Sequence, residues 1–317
     1  KVNSMILKMN NTIEILRAGI YSTIQDMKRV GFKKYGIPKS GPMDEYSHII
    51  ANWLVSKDIY SETIEFTHIG PKIKFNFNTI IGIYGSFCKV LLNKKNIGIG
   101  KSYRIKKGDV LDIGQCIDGI RGYLSISGEM DIKNEFNSIS TYDKIQIGGV
   151  NGRKLLRNDS INFINCSSSL PLNEVPESFK KRYNNSKIIR IIKGIHFNFF
   201  DNKSLENNFS ILPESDRMAI RLNGEIKMKK DKEISSIVVS KGTIQVPRDG
   251  KPIILMSDAQ STGGYPIVGN ICSVDVPILA QLKTSCKLNF KIICLEESEK
   301  LIEFEKRKFF SKLNIKL

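Results

Sequence analysis

Short segments in which apolar and polar residues alternate constrain the fold of this chain more than any other feature. Ile73, Phe75 and Phe77 occupy one face of such a segment, and the residues between them are polar. Alternation with a period of two is typical of a β-strand with one buried face. Alternating or short apolar runs predict further strands at 79–84, 90–92, 121–126, 188–192 and 288–292. The sequence therefore predicts a mainly β fold with a few short helices.

Three helices are predicted from capping residues and apolar spacing. The first begins at Asp44, a good N-cap, carries an apolar stripe at i, i+3 and i+4, and ends near Ser56. The second begins at Asp275, another good N-cap residue, with Pro277 in its first turn. The third is a charged, amphipathic helix in the tail, from Glu296 to Lys312.

The length and one lapse in the strand pattern predict two domains. A chain of 317 residues is too long for one average hydrophobic core. Between Cys166 and Lys187 the strand pattern gives way to serine, proline and polar residues. We therefore expect an N-terminal β-rich domain over 11–170, a C-terminal β-barrel domain over 187–295, and a charged helical tail over 296–317.

Composition and charge argue against several classes of protein. The net charge of +17 is spread over predicted strands and turns, without the arginine stripe and interleaved aromatic residues of a nucleic-acid surface. The six cysteines form no Cys-x-x-Cys pair, and no histidine spacing suits a zinc site. No apolar run is long enough to span a membrane, and no signal peptide pattern is present. We expect a cytoplasmic protein that binds no metal, no nucleic acid and no membrane.

The first chemically distinctive block runs from Thr23 to Asp44 and is dense in glycine and proline. A loop that enters a helix at its N-cap presents free backbone N–H groups, to which an anion or a carbonyl oxygen can bind. Alternatively, the block is a plain helix-entry turn with a local ion pair between Asp26 and Arg29. The spacing alone favours this second interpretation.

The second block carries two arginines at a spacing of four. Arg217 and Arg221 share a face whether the segment is helix or strand. Paired guanidinium groups suit a carboxylate or a phosphate. The alternative, that both are solvated or paired with Asp216, is equally consistent with the pattern.

The third block extends from Gly242 to Pro266 and contains a predicted hairpin turn at 248–250. That turn brings Gln245 close to the loop at 258–265, where adjacent glycines let backbone amides approach a ligand. Such a loop can hold a lactam or urea-like ring, whose oxygen gains negative charge during reaction. On its own, a Gly-Gly-Tyr-Pro loop is more often only a turn.

These blocks stand in a distinctive order along the chain: Gln25-Asp26, Gly36 to Asp44, Ala51-Asn52, Glu65 to Pro71, Gly119 to Leu124, Asp216 to Leu222, Gly242 to Pro252 and Thr262 to Pro266. The order strongly resembles the allophanate hydrolase subunit 2 family. That family includes the C subunit of bacterial 5-oxoprolinase and the matching half of the carboxyltransferase region of urea carboxylase. The likeness extends from about Ile13 to Ile293.

The resemblance implies a fold with two cyclophilin-like β-barrel domains and an enzyme subunit that works with partners. In 5-oxoprolinase, a homologue of the B subunit would bind this chain directly, and a homologue of the A subunit would complete a complex that opens 5-oxoproline to glutamate with ATP. Carboxyl transfer from carboxybiotin to urea, or a non-catalytic role as regulatory partner of a B-subunit homologue, are the alternatives. The sequence leaves open whether the small-molecule substrate is 5-oxoproline or urea-like.

The resemblance also assigns roles to individual residues, which are expected to meet in one pocket. The expected catalytic residues are Gln245, Asp258 and Tyr265. The expected substrate-binding residues are Gln25, Asp26, Arg29, Ser40, Asp44, Asp216, Arg217, Arg221, Thr262, Gly263 and Gly264. ATP would be used by one of the partner chains, and no biotin would be attached to this chain, because Glu225-Ile226-Lys227-Met228 lacks the methionine that precedes a biotinylated lysine.

Two departures from the family pattern bear on the first domain. Where relatives carry an arginine in a Gly-Ser-Arg-Ser-Thr segment, this chain has Ile139, and where they carry a second glycine after the Tyr-Leu strand it has Glu129. The change at Ile139 weakens the expectation that this loop binds an anion in the usual way.

Overall fold

The structure is a computed structural model that describes residues 11–179, 183, 186–229 and 234–313. Over these residues the chain is mostly β. The strands of the first half are β1 (Asn11–Arg17), β2 (Tyr21–Gln25), β3 (Thr63–Thr67), β4 (Lys72–Phe75), β5 (Thr79–Leu92), β6 (Lys95–Ile97), β7 (Ser102–Ile105), β8 (Val110–Ile126), β9 (Glu129–Met130) and β10 (Ser160–Ile164).

In the described part of the chain, β1 to β10 form one ten-stranded sheet of half-barrel shape. Its longest strands, β5 and β8, pair antiparallel from Ile81 opposite Ile126 to Leu92 opposite Leu111. The register shifts several times between Gly85 and Val90, as expected of bulges that bend a long strand. The segments predicted at 79–84 and 90–92 are therefore two parts of one bent strand, and 121–126 is the end of another.

The second half contains a sheet that closes on itself. Its strands are β11 (Ser186–Lys193), β12 (Phe209–Ile211), β13 (Ala219–Asn223), β15 (Thr243–Gln245), β16 (Ile253–Leu255), β18 (Ile267–Ile271) and β19 (Lys287–Ile293), and a separate two-stranded sheet pairs β14 (Ile237–Val238) with β17 (Thr262–Gly263). The barrel order is β11-β18-β15-β16-β13-β12-β19, and β11 runs parallel to β19. The predicted fold class, mainly β with barrel-type sheets and a few short helices, is confirmed.

The helices agree with the sequence patterns except at one cap. Helix α1 (Glu45–Leu54) begins at Asp44, whose carboxylate accepts the backbone N–H of Ser47 at 3.0 Å. Helix α2 (Val276–Leu279) is a single turn, and the prediction that Asp275 caps it is wrong in detail: its carboxylate binds the guanidinium and the backbone N–H of Arg190 instead. Helix α3 (Leu295–Leu313) occupies the predicted tail. No helix of the described residues is long and apolar enough to cross a membrane.

The two sheets are interlocked by segments that cross between them. Met43, which precedes α1, is fully buried within the hydrophobic core of the barrel. In the other direction, α3 returns to the first half, where the ring of Phe309 lies 4.7 Å from that of Tyr46 and Trp53 Nε1 donates to the carbonyl of Leu313 at 2.9 Å. The domain bounds predicted from the sequence stay a prediction, but the segment before α1 clearly lies between the two sheets.

Candidate functional site

An ion network centred on Arg217 joins the two sheets. Arg217 precedes β13, and its side chain is 6% exposed. Its Nε and Nη2 donate to the carboxylate of Asp258 at 2.8 and 3.1 Å. Its Nη1 donates to Glu65 of β3, and its Nη2 also donates to the carbonyl of Gly41 at 2.7 Å. One guanidinium from the second half thus binds carboxylates from both halves and the loop before α1.

Burial and neighbouring charge give the two carboxylates different proton affinities. Burial raises the pKa of Asp258, and the Arg217 guanidinium opposes that shift without cancelling it. Burial acts in the same direction on Glu65, but Arg217 and Arg121 outweigh it, so that the pKa of Glu65 is lowered. Asp258 is therefore the carboxylate of this network suited to exchange a proton.

Glu65 also fixes the start of α1. Its Oε2 accepts the backbone N–H of Met43 and the hydroxyl of Tyr123, each at 2.8 Å. The same hydroxyl accepts the backbone N–H of Asp44 at 2.8 Å, and the Asp44 carboxylate accepts Nε2 of Gln281 at 2.8 Å. Asp44 is therefore part of the helix cap and of the contact between the sheets.

The loop before α1 is held in a strained conformation next to this network. Gln25 of β2 accepts the backbone N–H of Gly41 at 3.0 Å. Ser40 has φ 53°, in the left-handed region that non-glycine residues seldom adopt. Gly41 has φ 83°, and a Cβ there would lie 2.7 Å from the carbonyl oxygen of Asp26, so glycine is required.

Asp26 and Arg29 do not form the local ion pair that the sequence spacing favoured. The Asp26 carboxylate accepts the hydroxyls of Ser138 and Ser140 and the backbone N–H of Ile139. Arg29 donates from Nη2 to the carbonyl of Ser140 at 2.6 Å. Ile139, at the position where relatives carry arginine, thus contributes only its main chain to the hydrogen bonds of Asp26.

Two buried nitrogen atoms of this region lack a hydrogen-bond partner, Nε and Nη1 of Arg29, which is 1% exposed. Such atoms are rare in folded proteins, and each calls for a physical explanation. The Ser40 hydroxyl, 5% exposed, lies beside the Asp258 carboxylate and opposes the rise of its pKa. The charges of Asp26 and Asp258 both act on the Arg29 guanidinium, which places it within electrostatic reach of the Arg217 network.

A cavity of about 330 Å³ lies beside the Arg217–Asp258 pair, between the two sheets. Both halves line it: Tyr21, His68 and Arg121 from the first, with Asp216, Arg217 and Asp258 from the second. Its size falls within the range of small-molecule pockets. Arg121 is 6% exposed, and its Nε has no hydrogen-bond partner. The cavity therefore offers positive charge and a buried carboxylate to a small polar molecule.

The glycine-rich loop of the third block lies elsewhere. Gln245 is 1% exposed and donates to the carbonyl of Tyr265 at 3.4 Å, and a Cβ at Gly263 would lie 2.4 Å from its Nε2. Tyr265 is 49% exposed. Neither Gln245 nor any residue of 262–265 is among the described residues that line the cavity. The functional roles expected of Gln245, Thr262, Gly263, Gly264 and Tyr265 stay predictions.

The two charged neighbours of Arg217 in the second block are exposed. Asp216 accepts the backbone N–H groups of Met218 and Ala219, which makes it a turn-forming residue at the mouth of the cavity. Arg221 is exposed on β13. The two arginines expected to act together are thus in different environments, and only Arg217 belongs to the buried network.

Glu65, Tyr123 and Gln281 complete the network, and the sequence analysis assigned a site role to none of them, although the first two lie in blocks of the family order. A carboxylate flanked by apolar residues in the strand Thr63–Thr67 is the signal that could have identified Glu65, because buried charges are normally paired. Gln281 carries no comparable signal. No group of three or more His, Cys, Asp or Glu side chains in the described residues is arranged to hold a metal ion.

The fold and the site define a two-sheet β protein with a polar cavity between a half-barrel and a closed barrel. The family model for the carboxyltransferase domain, subdomains A and B, matches residues 35–292. The C subunit of 5-oxoprolinase from Escherichia coli is 31% identical over 94% of this chain and 96% of that protein, and its Haemophilus influenzae counterpart is 30% identical over 91% and 94%. The crystal structure of Kluyveromyces lactis urea carboxylase matches 98% of this chain and 30% of that chain, with a TM-score of 0.88 at 27% identity.

The chain belongs to the carboxyltransferase domain family. Its similarity also reaches the urea amidolyase of Saccharomyces cerevisiae, which is 32% identical over 92% of this chain but only 17% of that protein. The resemblance deduced from the order of the sequence blocks is thus confirmed.

Proposed function

We propose that this chain is the C subunit of a 5-oxoprolinase, which opens the lactam of 5-oxoproline to glutamate at the expense of ATP. The observation that carries the proposal is the similarity to two bacterial 5-oxoprolinase C subunits. In each comparison it extends over more than nine tenths of this chain and of the relative. The cavity between the sheets is consistent with a small polar substrate of this kind.

The residues around the cavity suit the opening of an amide bond. The oxygen of the lactam carbonyl gains negative charge when the ring carbon is attacked, and Arg121 and Arg217 provide positive charge at the cavity wall. Asp258, whose pKa is raised by burial, can move a proton between the attacking water and the leaving nitrogen. Glu65 stays ionised and holds Arg217 in place, because its own pKa is lowered.

In this proposal ATP is used by one of the partner chains, and no biotin is attached to this chain. A homologue of the B subunit would bind the chain directly, and a homologue of the A subunit would complete the complex. In this arrangement the chain contributes the cavity, the positive charge and the proton acceptor, whereas the partners supply the phosphoryl chemistry that activates the amide.

The test is reconstitution of the three chains, followed by parallel measurement of glutamate release and ATP hydrolysis. We expect both to require 5-oxoproline and all three chains. Asp258→Asn should lower kcat by at least roughly 100-fold, since general acid–base groups contribute about that much or more. Asp249→Asn, in an exposed turn, is the matched control and should retain full activity. A fully active Asp258→Asn complex would exclude Asp258 as the proton-transfer group.

Carboxyl transfer to a urea-like acceptor is the second candidate, and the TM-score of 0.88 with the K. lactis urea carboxylase favours it. It predicts that activity requires a biotin carrier and bicarbonate rather than an A-subunit homologue. Carboxylation of urea by the chain with a biotin carboxylase and carrier, in the absence of any 5-oxoproline turnover, would replace the first proposal.

A further inference from the structure

Arg121 carries a buried charge that has no counter-charge of its own in the described part of the chain. Its side chain is 6% exposed, its Nη1 donates to the carbonyl of Ala280, and its Nε has no hydrogen-bond partner. The charges of Glu65 and Asp44 act on it, but among the described residues it forms an ion pair with neither. Because buried charges are normally paired, a group from outside the chain is the expected partner of Arg121.

The two carboxylates nearby are already bound to other groups. Glu65 is held by Arg217 and by two donors at the start of α1. Asp44 caps α1 and accepts Nε2 of Gln281 at 2.8 Å. Neither can turn to Arg121 without the loss of these hydrogen bonds. The two arginines of the cavity therefore differ: each side-chain nitrogen of Arg217 has an acceptor, whereas Arg121 has a donor to spare.

Arg121 lies in the wall of the cavity beside Asp258. It belongs to β8 and pairs with Thr67 of β3, which lines the same cavity. Its main chain is fixed on both sides by one side chain, since Oε1 of Gln281 accepts its N–H and Nε2 of Gln281 donates to its carbonyl, each at 2.9 Å. The guanidinium is thus anchored in place before any ligand arrives, which reduces the cost of binding.

His68 adds a neutral donor to the same wall. It lines the cavity, and its backbone N–H donates to the carbonyl of Ile120 at 2.8 Å. Its φ of 63° lies in the left-handed region that non-glycine residues seldom adopt. Burial and the charge of Arg121 lower the pKa of His68, so the imidazole is neutral at pH 7 and carries one N–H. A carboxylate at this wall would thus meet a charged donor and a neutral one.

The chemistry of the other wall sets the orientation of a ligand. Arg121, Arg217 and Asp258 all line the cavity, and the charge of Arg217 acts on both of the others. In 5-oxoproline the carboxylate and the lactam carbonyl lie on opposite sides of the ring nitrogen. A carboxylate bound at Arg121 therefore leaves the lactam to face Arg217 and Asp258, where the proton transfer is assigned.

We propose that Arg121 binds the carboxylate of the substrate and thereby selects lactams that carry one. The assignment rests on the proposed function, because 5-oxoproline has a carboxylate and urea has none. Arg217 is then the positive charge beside the lactam, and Asp258 stays the proton-transfer group.

The test uses two inhibitors of the reconstituted complex that each resemble one part of the substrate. One is 2-pyrrolidone, the lactam without the carboxylate, and the other is tetrahydrofuran-2-carboxylate, a five-membered ring with the carboxylate but no lactam. We expect Arg121→Met to raise KM for 5-oxoproline and the inhibition constant of tetrahydrofuran-2-carboxylate roughly 10- to 100-fold, the range for one charged hydrogen bond. The inhibition constant of 2-pyrrolidone should change far less, and kcat should fall by a smaller factor than KM rises.

Two further variants separate this role from a structural one. Arg121→Lys keeps the charge without the planar guanidinium, so it should fold as the original protein does and raise KM for 5-oxoproline by a smaller factor than Arg121→Met. Arg157→Met, at an exposed position, is the control and should keep the original KM. An unchanged KM in both folded Arg121 variants, or equal changes in the two inhibition constants, would overturn the assignment.

The assignment can also be tested if 5-oxoproline is not the substrate. Should the complex show no 5-oxoproline-dependent ATP hydrolysis, the proposed function fails, and thermal shifts of the full chain are measured with tetrahydrofuran-2-carboxylate, 2-pyrrolidone and inorganic phosphate. Stabilisation by the carboxylate that Arg121→Met abolishes still supports a carboxylate site at Arg121. Stabilisation by phosphate alone, by 2-pyrrolidone alone, or by none of the three overturns it.

Discussion

At the scale of single residues, the site is built on one cation that faces two anions. Arg217 binds Asp258 and Glu65 together, and backbone N–H and hydroxyl donors stabilise Glu65 further. Burial raises the pKa of both carboxylates. At Glu65 the charges of Arg217 and Arg121 and these additional donors outweigh burial, so its pKa is lowered, whereas at Asp258 the opposing effects of Arg217 and the Ser40 hydroxyl do not cancel it. Charge and hydrogen bonding together thus give the two carboxylates different proton affinities.

Replacement of Arg217 tests this network directly. In Arg217→Met, both carboxylates lose their buried counter-charge, and we expect the free energy of unfolding to fall by about 3–5 kcal/mol, as when one partner of a buried ion pair is removed. Urea denaturation measures it. Arg221→Met, on the adjoining strand but exposed, should change stability by less than about 0.5 kcal/mol. Equal losses in the two variants would mean that Arg217 is no more than a surface charge.

His48 gives a pH-dependent test of the packing beneath α1. It is fully buried, its ring nitrogens contact Thr63 and Asn52, and burial lowers its pKa to about 4 from 6.5. As the pH falls, His48 therefore binds a proton in the unfolded chain before it does so in the folded one. The contribution of neutral His48 to the free energy of unfolding is complete above pH 6.5 and is lost as the pH falls towards 4. The loss should approach about 1.4 kcal/mol per pH unit in that window.

His48→Gln removes the titrating group and should flatten the dependence of stability on pH between 6.5 and 4, measured by urea denaturation at several pH values. His68 and His196 remain in both proteins, so their contributions cancel in the comparison. Parallel curves for the two proteins would show that the pKa of His48 is the same in the folded and the unfolded chain.

At the scale of secondary-structure elements, α1 lies closely against β5. Gly82 of β5 permits this approach, since a Cβ there would lie 2.6 Å from Cβ of Leu54 and 3.0 Å from the carbonyl oxygen of Ala51. The helix that starts at Asp44 therefore depends on a glycine in a strand. Its N-terminus in turn carries the loop of Ser40 and Gly41 to Arg217.

Gly82→Ala should displace α1 and lower the free energy of unfolding by about 1–3 kcal/mol, the usual cost of overpacking. It should also reduce activity of the complex, because the loop before α1 moves with the helix. Gly98→Ala, where the nearest atom to a new Cβ lies 3.5 Å away, is the control for the substitution itself. Unaltered thermal unfolding of Gly82→Ala would indicate that the helix has room to shift without cost.

Local patterns predicted most elements, and long-range contacts explain what they missed. Alternation and capping are properties of neighbouring residues, which is why the strands and the Asp44 cap were predictable. The joining of 79–84 and 90–92 into one strand depends on bulges opposite β8, which no local pattern records. Likewise Arg217 binds Glu65, 152 positions away, instead of the adjacent Asp216, and that choice depends on how the two sheets meet.

At the scale of the whole molecule, the two sheets act as one body because each contributes to the other's interior. Met43 lies within the core of the barrel, and α3 covers α1. Residues of both halves line the cavity beside Asp258, so the candidate site exists only where the two sheets meet.

Gln281 is the residue at which this coupling is best tested. It is fully buried, its Oε1 accepts the N–H groups of Ile120 and Arg121, and its Nε2 donates to Asp44 and to the carbonyl of Arg121. Gln281→Leu leaves these groups unsatisfied, so we expect a loss of about 3 kcal/mol or more. The transitions followed by Trp53 fluorescence and by circular dichroism should separate. The control is Gln115→Leu, at an exposed position, in which the two unfolding transitions should coincide. Coincident transitions in Gln281→Leu as well would show that the sheets are held together without the Gln281 side chain.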